Sequence, residues 1–137
     1  MQLHLLTTAF LLGWIAMPHP SDASPLDSYR WKNRLLVVTG SDGAATQQQR
    51  RIYDAAKAGM SERAIVLLQA DDDSTSSRQL RAALGTDGRR FRVYLIGKDG
   101  HTAFASDEPI SAEALFKRID AMPMRQDEMR RDRMKER

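Results

Sequence analysis

Cysteine is missing from all 137 positions of this chain. Disulfide bonds, thiolate catalysis and thiolate metal sites are therefore excluded, because each of them needs a sulfhydryl group. Histidine is scarce as well, since His101 is the only one beyond the N-terminal segment. A Ser–His–acid triad or a histidine metal site has almost nothing to be built from. We therefore assign no catalytic, cofactor-binding or metal-ligating residue, and we expect no cofactor.

The N-terminal segment carries no lysine or arginine, and residues 5–17 are almost wholly apolar. Small residues follow at Ser21 and Ala23. A short apolar run with this ending predicts a secretory signal at residues 1–23, cut between Ala23 and Ser24, because a membrane span needs about 20 apolar residues. The missing basic start leaves an uncleaved anchor or a buried helix open. The prediction is a periplasmic or secreted protein that is free of the membrane after cleavage.

A strongly basic face is also missing. The net charge of the whole chain is only +3, and its Arg and Lys residues are interleaved with Asp and Glu. Nucleic-acid binders instead cluster basic residues on one surface with groove-reading partners. We therefore expect no nucleic acid as a partner, and the charge serves solubility. One domain with one core suits the length that remains after the signal.

Apolar runs and helical stripes alternate along that domain. Each run bounded by turn residues predicts a strand, and each stripe with a Ser or Thr start predicts a helix. Strands are predicted at 35–38, 64–68, 91–96 and 101–106, and helices are predicted to start at Thr46, Ser76 and Ser111. The first two strands are wholly apolar, which is typical of parallel strands covered on both faces. Asp99-Gly100 predicts a tight turn between the last two strands.

Two of the helices carry an apparent capping box, Thr46 with Gln49 and Ser76 with Gln79. Gly85 is expected to end the second helix. The last helix is expected to stop at Pro123, because proline cannot continue it. A domain at 24–124 follows, with residues 125–137 as an exposed, charged helical extension or tail.

The order strand, helix, strand, helix, hairpin, helix needs a parallel crossover and an antiparallel pair. It predicts an α/β fold, namely a thioredoxin-like three-layer sandwich with a mixed sheet of about four strands and helices on both faces. The loop after the first strand, from Gly40 to Ala45, is where such a domain would carry its cysteines. The usual cis-proline before the third strand is missing near 90–92, so both halves of the thioredoxin active site are absent.

Several segments also resemble a thioredoxin-like family with no assigned role (domain of unknown function 4174). They are residues 25–38, 96–100, 106–109 and 119–125, together with Glu128-Met129-Arg130. The resemblance covers the chain beyond the signal. It implies a fold similar to that of peroxiredoxins without their cysteine, and an exported location. The family includes small exported bacterial proteins and domains of animal extracellular proteins with sushi repeats, but it implies no substrate.

Acidic residues follow two strands that are predicted to be parallel. Asp42 and the run Asp71-Asp72-Asp73 stand at the sheet edge that ligands favour in open α/β folds. Clustered carboxylates can hold Mg²⁺ or Ca²⁺, although no calcium-loop spacing occurs here. The alternative is a solvated loop whose Asp and Ser residues cap the next helix, and the sequence favours it.

The group Tyr29, Arg30, Trp31 and Lys32 contains residue types that anchor protein interfaces. The sequence alone favours packing of Trp31 over the sheet, because a large aromatic just before a core strand usually adds area to that core. Two functions remain. The composition favours a non-redox binding or interaction module with an unknown protein partner in the envelope or outside the cell. The alternative is an enzyme or metal-binding envelope protein with a cysteine-independent site near Asp42 and Asp71–Asp73, so enzymatic activity stays open.

Overall fold

The computed structural model describes residues 23–41 and 43–137. It contains a four-stranded mixed sheet in the order β2-β1-β3-β4. The strands are β1 (Arg34–Thr39), β2 (Ile65–Ala70), β3 (Arg92–Ile96) and β4 (Thr102–Ser106). The helices are α1 (Gly43–Ala55), α2 (Lys57–Glu62), α3 (Thr75–Leu84), α4 (Ala112–Asp120) and α5 (Pro123–Lys135), and a 3₁₀ turn (Asp27–Tyr29) precedes β1. The pair β1–β2 is parallel, and β3 is antiparallel to both β1 and β4.

Strand β1 is buried along its whole length because both faces of the sheet are covered. Leu36 and Val38 face one core, which contains Met60 of α2 and Leu115 of α4. Leu35 and Val37 face a second core with Tyr94 and Ile96, against which α3 and the 3₁₀ turn pack. Each fully buried Leu or Val stabilises the fold by about 1.5–3 kcal/mol relative to an exposed one. The predicted three-layer α/β sandwich is confirmed.

Val66 is less buried than the sequence predicts. Val37 is fully buried, whereas Val66 is only partly so. Among the strands that the structure describes, β2 lies at the edge of the sheet and pairs with β1 alone. An edge strand has one side open, so its side chains retain more contact with solvent.

The first predicted capping box is wrong. Helix α1 begins at Gly43, so Thr46 and Gln49 lie inside the helix and are buried. Gln49 instead bonds the backbone of Ile110: its Nε2 donates to the carbonyl oxygen at 3.1 Å, and its Oε1 accepts from the amide at 2.8 Å. Helix α1 ends at Ala55, and α2 follows after Ala56.

The second predicted capping box, Ser76 with Gln79, is wrong as well, because the helix start lies two residues earlier. The N-cap of α3 is Ser74, whose hydroxyl accepts from the backbone amide of Ser77 at 3.2 Å. The predicted end of that helix is confirmed, because Gly85 adopts the left-handed conformation with φ 68°. The predicted start of α4 is confirmed too, since Ser111 accepts from the amide of Ala114.

The hairpin between β3 and β4 forms through the predicted Asp-Gly turn. Gly97 N–H donates to the carbonyl of His101 at 2.9 Å, and Gly100 has φ 86°, which a residue with a side chain adopts only with strain. Pro123, by contrast, does not simply end α4. That helix ends at Asp120, and Pro123 is the first residue of α5, where its missing amide costs nothing.

The C-terminal segment forms α5, and part of its first turns is buried rather than exposed. Arg125 is only 2% exposed, and the side chain of Glu128 is 15% exposed. Both join ion pairs with the domain, which the charge pattern alone did not reveal. The predicted signal at residues 1–23 lies almost wholly outside the described residues. Within the ranges 23–41 and 43–137, no helix is long and apolar enough to cross a membrane.

Candidate functional site

In the acidic run after β2, Asp72 forms hydrogen bonds with residues at the start of α3. One carboxylate oxygen of Asp72 accepts from the hydroxyl of Ser74 at 2.6 Å and from its amide at 3.1 Å, and Ser77 Oγ donates to it as well. These bonds lower the pKa of Asp72 to about 2, led by the Ser74 hydroxyl. The capping interpretation of the loop is confirmed for Ser74, the N-cap of α3, and Asp72 holds that residue in place. Asp42 lies outside the described residues, and within them no group of three acidic or histidine side chains is placed to hold a metal.

The loop before β3 lies at the same edge of the sheet, where β1 ends and β3 begins. Gly40 has φ 104°, and a Cβ there would lie 2.3 Å from the carbonyl oxygen of Arg90. Only glycine permits this approach, which brings the two loops together. Ser41 Oγ donates to the carbonyl of Arg89 at 3.4 Å. No cis peptide bond occurs in the described residues.

A polar depression of about 460 Å³ opens beside that loop. It is lined by Arg89 and Arg92, whose charges are met by Asp87 at 3.5 Å and Asp107 at 3.6 Å. Its chemistry is that of a solvated surface with paired charges. The side chain of His101 is 85% exposed beside its turn and lies 3.5 Å from Asp99.

Trp31 is the clearest departure from the sequence-based expectation. It is 65% exposed and does not pack over the sheet. Its φ of 67° is left-handed, which costs a residue with a Cβ about 1–2 kcal/mol. Its amide donates to the carbonyl of Lys98 at 2.6 Å, so the backbone is fixed against the hairpin. Tyr29, two residues earlier, packs on the second core and takes the role that the sequence favoured for Trp31.

A network of ion pairs, which the sequence analysis missed, joins β1 and the hairpin to the last helices. We call it the ion network, and its members are Arg34, Glu62, Arg63, Lys98, Asp120, Arg125 and Glu128. At one end, both terminal nitrogens of Arg34 donate to Glu128 at 3.2 Å, and Lys98 Nζ donates to it at 2.6 Å. Arg34 is 1% exposed and the side chain of Glu128 is 15% exposed, so this pair is largely shielded from solvent. Burial raises the pKa of Glu128, but the bonds from Lys98 and Arg34 outweigh it and hold that pKa below its ordinary value.

The other end of the ion network is centred on Asp120. Arg63 binds both of its oxygens, at 2.9 and 2.8 Å, and Arg125 Nε adds a third bond at 3.2 Å. The bond from Arg63 is the main cause that lowers the pKa of Asp120, against the effect of burial, and Arg125 adds to it. The guanidinium of Arg63 also lies 4.0 Å from the ring centre of Phe116, and Arg125 reaches Glu62 at 2.9 Å. Arg34 and Glu128 are 94 positions apart, which is why no local pattern predicts the pair.

A cleft of about 380 Å³ lies over one end of the ion network, between the β3–β4 turn and the α4–α5 junction. We call it the hairpin cleft. Its lining includes Arg34, Lys98, Ala103, Met122, Pro123 and Met124. The cleft therefore combines an apolar wall from the helix junction with two cationic side chains.

The strand order and directions define the class of protein, an α/β sandwich that loosely fits the thioredoxin plan. A profile of the family described as Domain of unknown function (DUF4174) matches residues 25–128, and the chain belongs to that family. Searches of curated proteins and of solved structures find no match.

Proposed function

We propose that this protein is an exported, non-redox binding module that recognises a protein partner through Trp31 and the basic residues beside it. Thiol chemistry has no place in it, because the sequence contains no cysteine. Export is supported by the apolar start of the chain with its small-residue ending, and by the resemblance of residues 25–38 to exported bacterial and animal extracellular proteins. The partner accordingly belongs to the cell envelope or the extracellular space.

The observation that carries the proposal is that Trp31 is exposed and is held at a positive φ. Exposing a large aromatic and holding it at positive φ are both unfavourable for folding alone. Backbone outliers that persist against such a cost cluster at binding and active sites. Trp is also the residue type most enriched among those that dominate the affinity of protein interfaces.

The surroundings of Trp31 fit an interface as well. Arg30 lies over Gly100, where a Cβ would come 2.8 Å from its Nε, and it pairs with Asp27 at 3.4 Å. Lys32 is exposed on the other side. An aromatic flanked by two cations suits a partner that presents an apolar pocket with an acidic rim.

A photo-crosslinking residue at position 32 tests the proposal while Trp31 stays in place. Exposed to light in cells, the full chain should form a discrete adduct with one envelope or extracellular protein, and a Trp31→Gly version should not. Glycine adopts this φ without strain, so the variant should stay folded, with a free energy of unfolding within about 1 kcal/mol of the parent. If Trp31 had only a structural role, Trp31→Gly would instead lower the thermal midpoint of unfolding.

The matched control places the same crosslinker at Lys135, beside Met134, the other large exposed apolar side chain of the described residues. Met134→Gly, combined with the crosslinker at position 135, should leave the pattern of adducts unchanged, because Met134 lies in the last turn of α5 and not in the proposed binding site. Equal adducts from positions 32 and 135, or an adduct that survives Trp31→Gly, would reject the Trp31 surface as the binding site.

A further inference from the structure

We infer that the hairpin cleft binds a small amphipathic monocarboxylate, with its carboxylate at Lys98 and Arg34 and its apolar chain against Met122 and Met124. The side chains that line this site differ from those of the proposed Trp31 interface, and the inference does not depend on that proposal.

The charges around the hairpin cleft leave room for one more anion. Arg34 and Lys98 both rely on Glu128, and Arg125 approaches the same carboxylate at 3.6 Å. Three cations therefore surround one anion at this end of the ion network. Arg125 has further partners in Asp120 and Glu62, whereas Arg34 and Lys98 have no other carboxylate within the described residues.

Both cationic side chains keep unused donors. Lys98 has three N–H groups, of which Glu128 takes one. The Nε of Arg34 is buried without a hydrogen-bond partner in the described part of the chain, in a side chain that lines the cleft. A buried donor without an acceptor costs about 1–3 kcal/mol. An anion in the cleft adds acceptors where the protein supplies too few.

The start of α5 adds a third favourable feature. Met122 is its N-cap and gives no side-chain bond to the first-turn amides, and Met122, Pro123 and Met124 all line the cleft. A helix start with uncapped amides attracts negative charge. Asp99 is the opposing charge at the rim, but its Oδ1 accepts from the amide of His101 at 3.0 Å and its side chain is half exposed.

Size and apolar lining select the rest of the ligand. A volume of about 380 Å³ is at the lower end of small-molecule sites, which are mostly apolar with a few convergent polar groups. Thioether side chains are flexible and adapt to chains of varied shape. A medium-chain aliphatic acid offers a carboxylate to the two cations and an apolar chain to the methionine side chains, and octanoate is a suitable probe.

Methionine methyl labelling gives a readout with internal controls. In the full-length protein, octanoate should shift the methyl NMR signals of Met122 and Met124 saturably, and leave those of Met60 and Met134 in place. Met60 is fully buried and does not line the cleft, and Met134 is 71% exposed at the far end of α5. Octanol, which has the same chain without the charge, should bind at least about tenfold more weakly, a difference of about 1.4 kcal/mol.

Two variants separate the carboxylate contact from the apolar wall. Lys98→Met should weaken octanoate at least about tenfold and leave octanol within about twofold. Met124→Glu, which places a like charge in the cleft, should abolish octanoate binding, whereas Met134→Glu on the same helix should have no effect. Equal affinity for octanol and octanoate, shifts at Met134, or no saturation at millimolar octanoate would each overturn the inference, and these outcomes need only the unmutated protein.

Discussion

At the scale of single residues, two side chains do something that their local sequence does not suggest. Gln49 stands where a capping box predicts it, yet it is fully buried and forms a two-bond bridge to the backbone of Ile110. Ile110 immediately precedes the N-cap of α4. Gln49 therefore fixes the entry of the last core helix relative to α1, across 61 positions of sequence.

Replacing Gln49 with Leu should be strongly destabilising. The amide and carbonyl of Ile110 would both lose their partner in a buried place, at about 1–3 kcal/mol each. The expected loss in the free energy of unfolding is about 2–4 kcal/mol, measured by chemical denaturation. The control is Gln48→Leu, one position away and exposed, which should change stability by less than about 0.5 kcal/mol. Equal losses for the two variants would show that the bridge contributes nothing.

Trp31 is the second such residue, and its case shows where sequence reasoning fails. A Trp just before a core strand usually packs on that strand, but the chain turns through a left-handed conformation at Trp31 and points it outward. The left-handed turn is fixed by a bond to Lys98, a partner far along the chain. Residue type alone carries no record of such a contact.

At the scale of elements, the sequence was most informative where periodicity and turn residues act locally. The wholly apolar runs of β1 and β2, the Asp-Gly hairpin, Gly85 and the Ser111 cap depend on neighbours within a few positions, and all are present as predicted. Helix starts were less predictable, because several Ser and Thr residues compete for the N-cap. The start of α3 offers Ser74, Thr75, Ser76 and Ser77 in a row, and the choice depends on the bond that Asp72 makes to two of them.

The position of that cap can be tested directly. Ser74→Ala should lower the free energy of unfolding by about 1 kcal/mol, because the amide of Ser77 loses its acceptor. Ser76→Ala, at the position that the capping-box pattern indicates, should have almost no effect, since Ser76 is exposed and outside the cap. Thermal denaturation of both variants decides between the two positions: a larger shift for Ser76→Ala would contradict the observed cap.

At the scale of the whole molecule, the ends of the chain carry two different questions. The N-terminal signal remains a prediction. An epitope-tagged full-length protein should appear in the periplasm or medium with Ser24 as its new N-terminus, as read by mass spectrometry. Leu11→Arg should block export, because a charge interrupts the apolar run, whereas Gln2→Arg should not, because signals begin with basic residues. Recovery of the tagged protein in the cytoplasm with Met1 intact would contradict the signal.

The question at the C-terminal end is what the ion network does. Most residues of the ion network lie within the segments through which the chain resembles its family. These segments are far apart in the sequence and come together only in the fold. Charge patterning read along the chain shows Arg125 and Glu128 as parts of a solvated tail. The fold reveals instead that α5 is fastened to β1, α2, α4 and the hairpin through these two residues. Long-range pairs of common charged residues leave no sequence signature, so this part of the structure was out of reach of the sequence.

The fastening of α5 predicts a stability that is lost in acid. In the fold, the pKa values of Glu128 and Asp120 are below their ordinary values of 4.5 and 3.8. The unfolded chain therefore binds protons first as the pH falls, so the free energy of unfolding should decline from about pH 5 downward, through the folded pKa values.

Glu128→Gln should cost about 3 kcal/mol at neutral pH, because it leaves Arg34 buried without a countercharge. It should also flatten the decline, since one of the three carboxylates whose pKa is lowered in the fold is gone. Glu136→Gln, an exposed change at the end of α5, should keep the parent curve. Denaturant titrations between about pH 7 and pH 3 measure both effects, and coincident curves for the parent and Glu128→Gln would show that Glu128 does not hold α5 in place.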